Sequence, residues 1–197
     1  MSAILSPVHF SGVTNLQLRF GTAFIYALAA TITATLPAAA IDFAKMPVGC
    51  SWTVSYSNGN TWRETFKGRK GGIFVTQTVD AARKNALVNT KKFDAAGKLV
   101  ERVWSDGKWE RFKPFSCFDT VGTCAYIFTN ADGAKSTIIN ETRKAKKGFT
   151  VRARVKGGEV FPEERFELGP FGLMISNWSP NYRSPVVSFQ GCGLEGS

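Results

Sequence analysis

Histidine is all but missing from this 197-residue chain: His9 is the only one, and it falls in the N-terminal segment. A Ser-His-Asp or Cys-His nucleophile needs an imidazole base, and the common zinc, copper and non-haem iron sites use imidazole ligands, so these mechanisms are excluded for the remainder of the chain. Four cysteines are present without the paired C-x-x-C spacing of a thiolate metal site. Neither G-x-x-x-x-G-K nor a helix-opening G-x-G-x-x-G occurs, which removes the common phosphate cradles. Long stretches of helical period are absent as well. No cofactor is expected.

Residues 1–40 also lack acidic side chains and carry one basic residue, Arg19. An apolar run from Phe20 to Leu36 follows, interrupted only by Gly and Thr, and ends at Pro37-Ala38-Ala39-Ala40. This is the pattern of a signal peptide cleaved before Ile41. A retained anchor would need a basic stop-transfer cluster, whereas Asp42 and Lys45 are isolated charges. A lipoprotein site at Cys50 is disfavoured because those charges separate it from the apolar run. The expectation is therefore a leader, 1–40, and one exported β domain, 41–197, with no retained membrane span.

What is present in that domain is positive charge, aromatic side chains and an even number of cysteines. Cleavage leaves 24 Lys plus Arg against 15 Asp plus Glu, a formal charge of +9. Such a balance serves solubility and also suits an anionic partner. In an exported chain Cys50, Cys117, Cys124 and Cys192 read as two disulfides. Of the three connectivities, Cys117 with Cys124 closes a short loop and Cys50 with Cys192 ties the first strand to the last, and this set is preferred.

From Ser51 onward the apolar pattern has a period of two. Trp52, Val54 and Tyr56 share one face, Asn58-Gly59 turns, and Trp62, Glu64 and Phe66 return on one face. Ile73–Asp80 alternates, Asp80–Ala86 is expected to form a short helical turn, and Leu87–Phe93 is a weaker strand. Cys124–Asn130 and Lys135–Thr142 flank Asp132-Gly133. The run Arg143 to Lys147 reads as a solvated basic loop. Phe149–Val155 is the cleanest half-buried strand, Val160–Leu168 returns with Pro162 suggesting an edge, and Gly169–Pro185 reads as a loop over one end of the sheet. Val186–Phe189 would be the last strand, delivering Cys192. About 8–10 short strands with local turns indicate an all-β antiparallel meander forming a small barrel or a sandwich. The architecture is lipocalin-like by analogy only, since no family motif is present.

The stretch Lys98–Cys124 holds two of the five tryptophans and two of the four cysteines. Asp106-Gly107 can close its hairpin in two registers. A two-residue loop would oppose Arg102 to Arg111. A three-residue loop with Gly107 in the left-handed bulge position pairs Val103 with Trp109, Arg102 with Glu110, Glu101 with Arg111 and Val100 with Phe112. Compatible pairs contribute about 0.2–1 kcal/mol each, so the bulged register is expected. It leaves Trp109, Arg111 and Lys113 as a ligand-binding face, with Trp178 in the loop 169–185 acting from a lid.

Carboxylates are the remaining catalytic groups. Glu163 and Glu164 are adjacent, point to opposite faces of a strand and cannot form a facing pair. Glu64 shares a face with Trp62 and Phe66, and the heavier reading is that it faces outward or pairs with a lysine. The leading expectation is a non-enzymatic periplasmic or secreted binding protein for an amphiphile, lipid or anionic envelope polymer; nucleic acid is not expected. The alternatives are an accessory protein that captures another chain along an exposed strand edge, and a carboxylate-dependent enzyme acting on glycans, which needs two facing carboxyls in a cleft.

Overall fold

The structure is a computed structural model and describes residues 40–180 and 182–194. The leader expected at 1–40 lies, but for Ala40, outside them. Along the chain, β1 (Ser51–Ser55), β2 (Thr61–Lys70), β3 (Ile73–Asp80), β4 (Ala86–Phe93), β5 (Leu99–Trp104) and β6 (Trp109–Lys113) form the first half. The second half holds β7 (Gly122–Asn130), β8 (Lys135–Ala145), β9 (Gly148–Val155), β10 (Glu164–Leu168), β11 (Met174–Ser179), β12 (Tyr182–Arg183) and β13 (Val186–Gln190). Every neighbour is antiparallel, each strand pairs with the next from β1 to β12, and β13 returns to β1.

The remaining seam is bridged by one bent strand. Ser184 donates its N–H to Asn177 O at 2.9 Å on the β11 side, while Ser55 and Ser57 donate to Pro185 O and Arg183 O at 3.1 and 3.0 Å on the β1 side. Counting β12 with β13 as that strand, the fold is a nearly closed barrel of 12 antiparallel strands, which leaves little free edge. The all-β meander is thus a barrel rather than a sandwich. Where the sequence suggested a loop over Gly169–Pro185, the chain forms β11 and β12; its Gly and Pro occupy the 3-10 turn Pro170–Gly172 and the bend before β13. Asp80–Ala86 contains no helix. Asp80 Oδ1 accepts from the N–H groups of Ala82 and Arg83, and Lys84 and Asn85 have positive φ, which ends any helical continuation. Pro162 precedes β10, and β10 lies between β9 and β11, not at an edge. The basic run begins within β8, which extends to Ala145.

Two plugs fill the barrel from the end opposite the β1–β2 turn. Phe43, from the segment before β1, sets its ring 5.0, 5.1 and 4.8 Å from those of Phe66, Phe74 and Phe93. Met46, Trp52, Leu173 and the Cys50–Cys192 disulfide complete this core. The loop 114–121 folds inward as a second plug. Lys98 Nζ reaches both carboxylate oxygens of Asp119 at 2.6 and 2.7 Å, Thr142 Oγ1 donates to Phe118 O, and Cys117 is bonded to Cys124. Phe118 packs against the smaller cluster of Phe149, Val151 and Phe166. Charged residues occupy the outward positions of β2 (Arg63), β4 (Lys92), β5 (Glu101), β6 (Arg111), β9 (Arg152, Arg154) and β10 (Arg165, Glu167), unlike the apolar band of a membrane-spanning barrel. No helix of the described residues is long and apolar enough to cross a membrane.

Candidate functional site

The strand registers line inward side chains up in two rows that cross the sheet. One row runs Trp52, Glu64, Thr78, Asn89 and Trp104 on β1 to β5; the next runs Phe66, Thr76, Lys91, Arg102 and Glu110 on β2 to β6. Because side chains alternate along a strand, once Phe66, Phe74 and Phe93 point into the core, Glu64, Thr76, Thr78, Asn89 and Lys91 must share that face. Polar inward positions are therefore a consequence of register.

Above the plugs these rows border two adjoining cavities. The lower, about 270 Å³, is lined by apolar groups from several elements, among them Val54, Phe93, Leu99, Phe118, Leu173 and Met174, with the Lys98–Asp119 pair in its wall. The upper, about 300 Å³, is lined by Tyr56, Trp62, Thr78, Asn89 and Trp104 and reaches the β1–β2 turn at Asn58 and Asn60. Val54, Tyr56, Glu64, Lys91 and Arg102 border both. Both cavities have mixed linings: the lower also holds Lys98, Asp119, Ser116 and Asn177, and the upper also holds Val54, Trp62 and Trp104.

The charges in this wall are matched. Lys91 Nζ lies 2.6 Å from Glu64 Oε2, and Thr76 Oγ1 donates to Glu64 Oε1 at 2.5 Å. Arg102 Nη1 donates to Glu110 Oε2 at 3.0 Å, and its guanidinium lies 5.2 Å from the centre of the Trp104 ring, whose Nε1–H donates to Glu110 Oε1 at 3.2 Å. Each inward carboxylate of the two rows is thus engaged by a cation, the arrangement of structural ion pairs. Deeper in the barrel, burial pushes the Tyr126 hydroxyl above the usual tyrosine range, and its hydrogen bond with Ser116 only partly offsets that.

Several buried polar atoms in these walls have no hydrogen-bond partner among the described residues: Thr78 Oγ1, Asn89 Oδ1 and Arg102 Nε in the upper cavity and Asn177 Oδ1 in the lower. Thr78 is 3% and Asn89 2% exposed. An unpartnered buried polar group costs about 1–3 kcal/mol, so a folded protein rarely retains a cluster of them without use.

The four residues that the sequence suggested for ligand contact stand on the outer surface. Trp109, Arg111 and Lys113 alternate with the inward Glu110 and Phe112 on β6. Arg111 Nε donates to Glu101 Oε2 at 2.9 Å, and its guanidinium stacks 4.4 Å from the Trp109 ring centre. Trp178 is a strand residue of β11 rather than a lid residue; it pairs with Arg165, whose guanidinium lies 5.3 Å from its ring centre. Strands β7 to β10 separate it from β6, so the four do not converge. Glu64 faces inward and is the lysine-paired carboxylate that the sequence allowed. Glu163 and Glu164 do face opposite ways, Glu163 lying 3.6 Å from Arg152 and from Arg165 and Glu164 near Asn177. Sequence reasoning missed Thr78, Asn89, Lys91, Arg102 and Trp104 as one wall. Their alternation with outward residues was visible, but which face closes on itself was not. The chain matches no family of known proteins, and neither a curated protein nor a solved structure matches it.

Proposed function

We propose that this protein is an exported, non-enzymatic binding barrel that receives a small amphiphile in its interior, apolar part downward and polar head in the upper cavity. The observation that carries this reading is the adjoining pair of cavities, both of mixed lining, with Phe93, Leu99 and Met174 at the lower one and three of the four unpartnered polar atoms, those of Thr78, Asn89 and Arg102, at the upper one. Concave sites that mix an apolar lining with a few placed polar groups are the usual form of small-molecule sites. Both cysteine pairs are closed, which fits an oxidising compartment, and with the expected leader supports a periplasmic or secreted location. Capture of a partner strand finds little support in a barrel whose bent last strand joins β11 to β1. Ion pairing of Glu64 and Glu110 likewise favours a binding wall over an acid/base pair. Native mass spectrometry of protein taken from its own host tests the reading: a copurifying small molecule is expected, released on unfolding. Protein that carries no adduct and takes up no alkyl amphiphile in titration would overturn it.

A further inference from the structure

Resting on the reading of an interior amphiphile site, we infer that the head group received by the upper cavity is an uncharged sugar residue. The first argument is charge. Lys91 and Arg102 are the cations of the wall, and Glu64 and Glu110 already neutralise them at 2.6 and 3.0 Å. A phosphate or carboxylate would have to displace a carboxylate from one of these pairs; an ammonium group would face the mirror problem.

The second argument is the pattern of unmet hydrogen bonds. Asn89 Oδ1 accepts, Arg102 Nε donates and Thr78 Oγ1 does either, and none has a partner among the described residues. Thr78 and Asn89 are directly opposed across β3 and β4 and line the same cavity. An anion can only accept and an ammonium can only donate. A set of hydroxyls does both, and it replaces the water that such a wall otherwise orders.

The third is the apolar surface of the same cavity. Tyr56, Trp62 and Trp104 border it, with the rings of Tyr56 and Trp62 4.7 Å apart. Aromatic rings offer flat apolar faces beside their polar tips, which suits a pyranose with its C–H face and hydroxyl rim. A volume of about 300 Å³ is at the lower end of small-molecule sites, about 300–1,000 Å³, and so fits one sugar ring rather than an oligosaccharide.

The test is a titration of the disulfide-intact protein, followed by tryptophan fluorescence and calorimetry, with the hexyl glycosides of glucose, galactose, mannose and N-acetylglucosamine, alongside hexyl phosphate and 1-hexanol. At least one glycoside is expected to bind about tenfold more tightly than hexyl phosphate and hexanol, the margin of one well-made hydrogen bond to a buried group. Asn89→Leu should abolish that margin, the glycoside losing about tenfold in affinity and hexanol, with its single hydroxyl, losing less. Because Asn89 Oδ1 is unpartnered, the variant should melt no lower than the parent; Thr78→Val gives the same readout should Asn89→Leu fail to fold. Preference for the phosphate, or equal binding of hexanol, would overturn the sugar head and leave the amphiphile reading standing. Glycoside binding indifferent to both substitutions would also overturn it. Failure of all six probes to bind would overturn both.

Discussion

Individual side chains on the two faces of the barrel respond to pH in opposite ways. Burial alone would raise the Glu101 carboxyl, but hydrogen bonds from Lys92 and Arg111 outweigh it and hold the group below the usual glutamate range. A depressed carboxylate contributes stability above its unfolded value, 4.5, and the contribution is lost as pH falls through the folded value. Glu101→Gln should therefore cost about 0.5–1 kcal/mol at neutral pH, the partly exposed cations limiting the amount, and nothing at the acid end. Urea unfolding across the acid limb reads this. Tyr126 runs the other way. Its raised hydroxyl means that the unfolded chain ionises first once pH passes 10, and stability falls above that point. Tyr126→Phe should move the alkaline unfolding midpoint upward, as followed by circular dichroism.

At the scale of elements, hairpins were the best-read features. The β5–β6 hairpin adopts the bulged register, with Val103 opposite Trp109, Arg102 opposite Glu110 and Glu101 opposite Arg111, and both ion pairs form. Local turn chemistry decided this: Gly107 takes φ 84°, which glycine alone adopts without cost. The Gly169–Pro185 segment misled for a physical reason. Its strands β11 and β12 are short and lie among turn-forming Gly, Pro, Asn and Ser, so composition prevailed in the reading; their partners, β10 and the bend at Ser184, are close in sequence, and only the bonds from that bend to β1 are remote. Close approach of strands yields a further prediction. A Cβ on Gly148 would run into the carbonyl oxygen of Phe166 where β9 meets β10, beside the Phe149–Phe166 contact. Gly148→Ala should lower stability by about 1–3 kcal/mol, measured as a thermal midpoint, because one of the two backbones must shift.

For the whole molecule, barrel closure is the central property, and Cys50–Cys192 holds it. The bridge joins the residue before β1 to Cys192, two residues past the end of β13, the strand that pairs with β1, across a separation of 142 residues. In the chain-entropy picture a loop of this length contributes about 4–5 kcal/mol. Replacing both cysteines by alanine should lower the urea midpoint accordingly, whereas the same change at Cys117 and Cys124, seven residues apart, should cost less and act mainly on the inward loop 114–121. Ligand added to the closed barrel should raise the midpoint in proportion to the logarithm of its concentration, through binding to the folded state alone.

What the sequence by itself determined was the local grammar: period-two strands, the turns at Asn58-Gly59 and Asp106-Gly107, the hairpin register, the likeness of the four cysteines to a disulfide framework, and a stretch from Phe10 onward without histidine. Each of these depends on neighbours within about ten residues or on composition. Only the tertiary structure decided which face of each strand turned inward, that the meander closed rather than stacked, and that Glu64, Thr78, Asn89, Lys91, Arg102 and Trp104 stand in one wall. Alternation distinguishes two faces but does not say which one is enclosed. Where the enclosed face is itself partly polar, hydrophobic pattern loses its power to choose, and closure through the distant pairing of β13 with β1 makes the choice instead.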